Sequence, residues 1–254
     1  LSGNAACGCM IGEMPGVTPV GMAALLPHRR LEMDDSLKIR IDGMNTDAPN
    51  RENVLRAACE ESVVVDAASF RQAGRAQRGE LVKGKKVVYI YHDAIDRAGE
   101  SDGNVFQTCE TAIQELMQLM RILTSELNAA NVLITADHGF LFTRSSLEEY
   151  DKTGKEILQG EIFEYKRRYA IIRGEYNESD AIAVSLEGLG RPELKAVFPH
   201  SCLRFRIQGG NSTYMHGGAS LEEMVVPLVR YQNKKAGQKG FTAITKVDIA
   251  LVGE

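Results

Sequence analysis

The stretch "VLITADHGFLF", residues 132–142, places an acid and an imidazole side by side directly after an apolar run. The run ends at Ala136 and is typical of a buried strand, and Asp137 and His138 follow it. Ligands of α/β proteins bind beyond the carboxyl ends of parallel strands. The stretch therefore predicts an α/β fold with chemistry at this end of the strand.

Two upstream segments complete the pattern of a strand–helix–strand unit. "KVVYIY", residues 86–91, is rich in β-branched and aromatic residues without polar alternation, which is typical of a strand buried on both faces. Residues 104–130 form the longest predicted helix, with apolar residues at three- and four-residue steps. The strands that flank it should be parallel with a right-handed crossover. We therefore expect a mostly parallel sheet flanked by helices.

Two further helices are predicted upstream of this unit. "TPVGMAALLP" favours a helix with Thr18 as its N-cap and Pro19 at its first position. Residues 51–62 are predicted to form a second helix.

The pattern changes downstream, where residues 144–215 contain several short strand-like pieces. We interpret them as a β-rich insertion within a single domain that covers residues 1–254. Ser220 and Glu223 then have the spacing of a capping box and predict the start of a helix. Pro227 lies in the following apolar run and predicts an edge strand, because proline cannot donate to a ladder.

Composition excludes several classes of protein. The 254 residues carry a net charge of −4, and the one small basic cluster, "YKRRY" at residues 165–169, is interpreted as a solvated strand face. No segment has the roughly 20 apolar residues that span a membrane. Five cysteines without a CxxC pair argue against a disulfide framework and predict a reducing, cytoplasmic location.

Asp137 and His138 are the first candidate site. A carboxylate and a neutral imidazole can both ligate one divalent metal ion. Gly139 would let the backbone turn so that both side chains face the same point. The alternative is that Asp137 caps a turn and His138 is a surface residue.

An acidic segment, "YHDAIDRAGESD", follows the strand at residues 86–91 and is the second candidate site. Asp96 and Glu100 are four residues apart, so one helical turn would place them on one face. Like charges at this spacing are unfavourable unless a cation neutralises them. The alternative is an acidic, solvated loop. His92 and Asp93 are their neighbours in the segment.

Thr18 and His216 each stand at a predicted helix start. The hydroxyl of Thr18 could serve as a nucleophile, although simple N-capping would also explain it. His216 is followed by two glycines that permit close backbone approach, although an isolated histidine is often structural. Together with the first and second candidate sites, these residues offer the ligands of a two-metal hydrolytic site.

The sequence resembles the PglZ domain of BREX phage-defence systems, within the alkaline phosphatase superfamily. Four stretches carry the resemblance and occur in the order typical of the family: "TPVGMAALLP", "VVYIYHDAIDRAGE", "VLITADHGFLF" and "HGGASLEEMVVPL". The resemblance implies an alkaline-phosphatase-like core, two divalent metal ions of which zinc is the expected element, and a threonine or serine nucleophile.

The resemblance also implies a role for each matching residue. Thr18 corresponds to the nucleophile, whose oxygen touches one metal, and Asp137 and His138 correspond to ligands of that metal. Asp96 and His216 correspond to ligands of the second metal. Glu100, at a position where many superfamily members have histidine, corresponds to a further metal ligand. His92 and Asp93 would be neighbours that hold the ligands in place.

One part of the family pattern is missing before Thr18. Members have a first strand that ends in a further aspartate ligand, but the only acid in this segment is Glu13. We therefore expect the chain to be a fragment that lacks this ligand and one central strand. Weak metal occupancy and low activity should follow.

Two functions of different classes are compatible with these residues. The first is a metal-dependent phosphodiesterase or phosphatase that acts on a phosphoester or nucleotide. The second is a catalytically degenerate scaffold that binds other phage-defence proteins and is linked to nucleic acid only indirectly. A third and less favoured function is that of a sulfatase or a phosphoglycerate-mutase-like enzyme of the same superfamily. Sulfatases use a modified cysteine or serine where this chain has Thr18, which argues against a sulfatase.

Overall fold

The computed structural model describes residues 3–100, 104–143, 152–208 and 213–234. No helix in these ranges is both long and apolar enough to cross a membrane. The α-helices within them are α1 (Thr18–Ala24), α2 (Arg51–Ala58), α3 (Ala67–Gln72), α4 (Arg75–Val82), α5 (Ala94–Glu100), α6 (Val105–Arg121) and α7 (Leu221–Met224). A π-helical turn, Ile122–Glu126, extends α6, and short 3₁₀ turns are formed by Ala48–Asn50, Lys155–Ile157 and Glu187–Leu189.

The strands in the same ranges are mostly short. They are β1 (Gly3–Ile11), β2 (Leu31–Met33), β3 (Ile39–Ile41), β4 (Met44–Asn45), β5 (Ser62–Asp66), β6 (Val87–Tyr91), β7 (Asn131–Ile134), β8 (Leu141–Phe142), β9 (Lys152–Thr153), β10 (Leu158–Tyr165), β11 (Ala170–Tyr176), β12 (Ala181–Leu186), β13 (Arg191–Pro199), β14 (Arg204–Phe205), β15 (Tyr214–Met215) and β16 (Val225–Asn233).

These strands form several small sheets. β1, β16 and β7 form an antiparallel sheet in that order, and β5 pairs with β6 in parallel. β10, β11, β13 and β12 form a four-stranded antiparallel sheet, and β2, β3 and β4 form a smaller one. The remaining pairs are β14 with β9 and β15 with β8. The predicted α/β class is confirmed.

The strand pairing observed differs from the mostly parallel sheet predicted from the sequence. β6 and β7, which we expected to be parallel neighbours, lie in separate sheets within the described ranges. The parallel partner of β6 is β5, which falls partly inside the helix predicted over residues 51–62. The helix ends at Ala58, and the following Val63–Val65 run is β-branched, which favours a strand. β7 is also less buried than predicted, since Leu133 is 64% exposed.

The prediction of an edge strand at Pro227 is wrong. β16 is the middle strand of its sheet, between β1 and β7. Pro227 is tolerated there because β7 pairs only with the later residues Val229 to Gln232 of β16. No hydrogen bond to β7 is therefore needed at the proline.

The β-rich character of residues 144–215 is visible in the parts that are described. β9 to β15 lie in this span, whereas residues 144–151 and 209–212 lie outside the described ranges. Whether the span is an insertion within a single domain remains a prediction. Before Thr18, β1 is a strand that we did not predict, and it ends at Ile11 with no aspartate after it.

The main apolar core holds the start of α1 in place. Val20 and Ala23 of α1 pack with Ile41 of β3, Ile171 of β11 and Phe198 of β13, all at most 3% exposed. Burying a large apolar side chain contributes about 1.5–3 kcal/mol. This packing fixes the orientation of α1, and with it the position of Thr18.

Candidate functional site

Thr18 is the first residue of α1, and its side chain does not cap the helix. The N-cap is Val17, so the predicted capping role of Thr18 is wrong. Pro19 occupies the first turn, where its missing N–H costs nothing. The Thr18 hydroxyl instead lies 3.1 Å from Nε2 of His138. The helix start therefore presents the hydroxyl to the loop that follows β7.

This loop is wedged between α1 and α7 by close backbone contacts. A Cβ atom on Gly21 would lie 2.1 Å from the carbonyl oxygen of Asp137. A Cβ atom on Gly139 would lie 2.0 Å from the carbonyl oxygen of Glu222, and the Gly139 N–H donates to the carbonyl of Glu223 at 2.9 Å. Gly139 is thus required for close approach rather than for an unusual turn.

Backbone carbonyls orient both histidines in the same way. Nδ1 of His138 lies 2.9 Å from the carbonyl oxygen of Gly139, and Nδ1 of His216 lies 3.2 Å from that of Gly16. A carbonyl oxygen only accepts, so Nδ1 carries the proton in each ring. In the neutral imidazoles, Nε2 is then unprotonated, and the Thr18 hydroxyl donates to Nε2 of His138. An available Nε2 lone pair is also what a metal-binding histidine needs.

The two imidazole rings stack on each other. Their centroids are 4.1 Å apart, and the planes differ by 6°. Burial lowers the pKa of His216, and the charge that His138 would carry lowers it further. His216 therefore favours the neutral form, in which it can ligate a metal ion.

Two carboxylates approach Nε2 of His138. Oδ2 of Asp137 lies at 3.5 Å and Oδ2 of Asp96, from α5, at 3.7 Å. Burial raises the pKa of Asp137, and nearby Asp96 raises it further, against the opposing influence of His138. Oδ2 of Asp137 is buried and accepts no hydrogen bond from the described residues. An ionised carboxylate in this state is unfavourable unless a cation compensates it.

Tyr214 is a neighbour of Asp96 that the sequence did not single out. Its hydroxyl donates a hydrogen bond to Oδ1 of Asp96. Burial raises the pKa of Tyr214, and the hydrogen bond to Asp96 raises it further, so the phenol remains a donor. The ring also meets His216 edge to face, with centroids 6.3 Å apart. Tyr214 thus connects the Asp96 and His216 parts of the site.

The donor set suits a divalent cation, although no ready-made cage is present. Within the described ranges, no group of three or more His, Cys, Asp or Glu side chains is already arranged to hold a metal ion. Oδ2 of Asp137, which accepts no hydrogen bond from the described residues, and Nε2 of His138 nevertheless share one small region with Thr18 and Asp96. Imidazole and carboxylate ligands of this kind match zinc and similar metals.

The remaining predicted residues, His92, Asp93 and Glu100, have no observed contact with this cluster among the described side chains. His92 bonds Glu115 at 2.7 Å, and Asp93 pairs with Arg97 at 3.0 Å. Their supporting role therefore remains a prediction. Glu100 is the last residue of α5, but its side chain lies outside the described part of the chain.

A buried ion pair between Arg168 and Glu223 lies beneath the site. The prediction that the segment containing Arg168 is solvated is wrong. Arg168 lies in the basic cluster interpreted as solvated, yet its side chain is 1% exposed and binds Glu223, which is 0% exposed. Nε and Nη2 of Arg168 donate to the Glu223 carboxylate at 3.0 and 2.7 Å. The same carboxylate accepts the backbone N–H groups of Gly218 at 2.9 Å and Ser220 at 3.3 Å. The predicted capping contact of Glu223 is confirmed, with α7 starting at Leu221.

Known proteins share this chain's sequence pattern. The family model described as the BREX system PglZ alkaline phosphatase-like domain matches residues 2–231. The alkaline phosphatase-like protein PglZ of Bacillus cereus (strain H3081.97) is 31% identical over 248 residues, which cover 95% of this chain and 29% of that protein. The alkaline phosphatase-like protein BrxZ of Escherichia coli O9:H4 (strain HS) is 28% identical over 247 residues, covering 90% of this chain and 27% of that protein. The chain thus spans less than a third of the length of these relatives.

Solved structures share the fold. Human ectonucleotide pyrophosphatase/phosphodiesterase 5 has a TM-score of 0.50 at 10% identity, over 86% of this chain and 77% of that one. The phosphonoacetate hydrolase of Sinorhizobium meliloti 1021, solved with phosphonoacetate, also has a TM-score of 0.50 at 10% identity, over 92% and 83% of the two chains. At this identity the likeness concerns the fold alone. The family model matches nearly the whole chain, and this match shows that the chain belongs to the PglZ family of BREX-system alkaline phosphatase-like domains.

Proposed function

We propose that this chain is a metal-dependent hydrolase domain for phosphate esters, with Thr18 as its nucleophile. The observation that carries the proposal is the 3.1 Å contact between the Thr18 hydroxyl and Nε2 of His138. A hydroxyl that stands at a helix start, does not cap the helix and faces a proposed metal ligand is arranged as a metal-activated nucleophile would be.

The metal ligands are proposed on the donor set and the resemblance together. Asp137 and His138 would hold one divalent ion beside Thr18, while Asp96, His216 and Glu100 would hold a second. When bound, such ions, for which zinc is the expected element, neutralise phosphate charge and lower the pKa of a nearby hydroxyl. The unpaired Asp137 oxygen and the lowered pKa of His216 support this assignment.

The proposed reaction has two displacements. The Thr18 oxygen bonds to phosphorus while the bond between phosphorus and the leaving ester oxygen breaks. The proton lost by Thr18 is balanced by the proton that the departing alcohol takes up from water. Water then attacks the phosphothreonine, which releases the phosphate product and restores the hydroxyl of Thr18. Tyr214 would hold Asp96 in place throughout, since its hydroxyl already donates to that carboxylate.

Substitution of Thr18 tests the proposal in a full-length PglZ protein that contains this sequence. Thr18→Ala should abolish hydrolysis of bis(4-nitrophenyl) phosphate, whereas Thr18→Ser, which keeps the hydroxyl, should retain measurable turnover. Undiminished turnover in Thr18→Ala would exclude the role. The isolated chain should hold metal weakly, because it has no aspartate after β1, and two tightly bound ions in it would contradict that expectation.

A second candidate is a scaffold that binds other proteins of the defence system. It is favoured by the lack of a preformed three-ligand cluster among the described side chains. Metal content separates the two: a full-length protein with neither zinc nor esterase activity would support the scaffold. In either case we expect phage-defence proteins as partners, with nucleic acid involved only indirectly. We expect these partners to be met in the cytoplasm, the location predicted from the cysteine content.

A further inference from the structure

A cavity of about 670 Å³ adjoins the candidate site. His216 and Tyr214 lie in its wall, as does Gly99, one turn after Asp96 in α5. The residues on both sides of Thr18 also line it. A group attached to a phosphate at Thr18 would therefore have this cavity beside it. Another cavity, of about 740 Å³, lies around residues 152–159 and 176–180 and shares no lining residue with the site.

Apolar and polar groups contribute about equally to the cavity wall. The β2–β3 hairpin contributes the apolar residues Met33, Leu37 and Ile39. β10 and β11 contribute Phe163 and Ile171. Ligand pockets of this kind bind apolar or aromatic groups and use a few polar groups for orientation.

The turn between β10 and β11 brings positive charge to this cavity. Lys166 pairs with Glu164 at 3.5 Å, and Glu164 also accepts from the Tyr169 hydroxyl at 2.9 Å. Arg168 is compensated by Glu223. Arg167 lines the same cavity and is half-buried, but its guanidinium has no hydrogen-bond or ion-pair partner among the described residues. Arg167 is thus the uncompensated cation of this turn.

The buried ion pair fixes this turn relative to the site. Arg168 joins Glu223, and Glu223 holds the backbone of Gly218 two residues after His216. Arg167, as the residue before Arg168, is therefore held close to the loop that carries His216. A long basic side chain on a fixed turn loses less freedom on binding an anion than one on a mobile loop.

We propose that the cavity is a subsite for one ester group of a phosphodiester substrate, and that Arg167 selects a group that is apolar and carries an anionic substituent. The inference rests on the proposed hydrolase function and names the substrate class of that site. A guanidinium recognises a carboxylate or a second phosphate through two parallel hydrogen bonds, which a neutral group of the same shape cannot replace.

Two synthetic diesters of equal shape test the subsite. 4-Carboxyphenyl 4-nitrophenyl phosphate and its 4-carbamoylphenyl analogue release the same 4-nitrophenolate but differ in charge. In the full-length protein we expect kcat/KM to favour the carboxylate ester by about tenfold, consistent with one charge-assisted contact. Arg167→Gln should remove this preference, and Arg167→Lys should keep part of it.

A control of the same residue type lies on α2. Arg56 is exposed and paired with Glu52 at 3.7 Å, and it does not line the cavity. Arg56→Gln should leave the preference unchanged. Equal kcat/KM for the two diesters, or a preference that survives Arg167→Gln, would overturn the subsite while leaving the hydrolase function intact.

Equilibrium binding separates failure of the subsite from failure of the hydrolase. The same two diesters can be titrated into the Thr18→Ala protein by calorimetry. If the wild-type protein hydrolyses neither ester but Thr18→Ala binds the carboxylate ester more tightly in an Arg167-dependent way, the subsite stands and the proposed function fails. Absence of both hydrolysis and charge-selective binding would overturn the subsite as well.

Discussion

Removing the Glu223 carboxylate should destabilise the protein more than any exposed substitution nearby. Glu223→Ala leaves the Arg168 guanidinium, which is 1% exposed, without its counter-charge. It also leaves the backbone N–H of Gly218 without its acceptor. Breaking a buried pair by removing one partner costs about 3–5 kcal/mol. In a protein of this size we expect the melting temperature to fall by about 6–20 °C.

The assay is urea and thermal unfolding of three variants beside the wild type. Glu222→Ala is the matched control, because Glu222 is the exposed neighbour and its substitution should change stability by less than about 0.5 kcal/mol. A double variant, Arg168→Met with Glu223→Leu, should be more stable than Glu223→Ala, since no buried charge remains uncompensated. If Glu223→Ala and Glu222→Ala unfold at the same urea concentration and temperature, the reasoning about this ion pair is wrong.

Three further predictions concern the loops around the site. Gly21→Ala should destabilise the protein by about 1–3 kcal/mol, because the added Cβ would lie 2.1 Å from the Asp137 carbonyl oxygen. Gly79 lies at an open helical position, so Gly79→Ala should be neutral or stabilising by up to about 1 kcal/mol. Urea unfolding of both variants measures this difference. Burial raises the pKa of Asp137, so the ionised carboxylate is disfavoured in the fold and Asp137→Asn should raise stability in metal-free buffer at pH 7. The same variant should bind zinc more weakly, because it lacks the proposed carboxylate ligand. Thermal unfolding with and without zinc tests both effects. The pKa of His216 is lowered below its usual 6.5, so the unfolded chain binds the proton more readily than the folded protein. The stability of the metal-free protein should therefore fall as the pH drops through 6.5. His216→Asn should reduce this pH dependence in a series of unfolding curves, and an unchanged dependence of stability on pH would contradict the assignment.

Local sequence patterns determined several elements of this protein correctly. The strand at residues 87–91, the long helix that begins after Asn104 and the capping contact of Glu223 each depend on neighbours within a few residues. The side chain of Asn104 accepts the Gln107 N–H as an N-cap does. Such features are readable because hydrophobic periodicity and capping are short-range effects.

Other features were decided by partners that are distant along the chain. Pro227 lies in a middle strand because β1 pairs on one side of β16 and β7 covers only its later residues. Arg168 is buried because Glu223, far along the sequence, supplies its counter-charge. Neither pairing leaves a periodic signal around the residue itself.

The candidate site shows the same division. The sequence supplied the residue types, namely the threonine, aspartates and histidines on which the proposed hydrolytic metal chemistry depends. Only the tertiary structure decided that the Thr18 hydroxyl faces Nε2 of His138 instead of capping its helix, and that Tyr214 donates to Asp96. The physical reason is that composition and local spacing determine which groups are present, whereas the distance and direction between two groups depend on how separate elements pack.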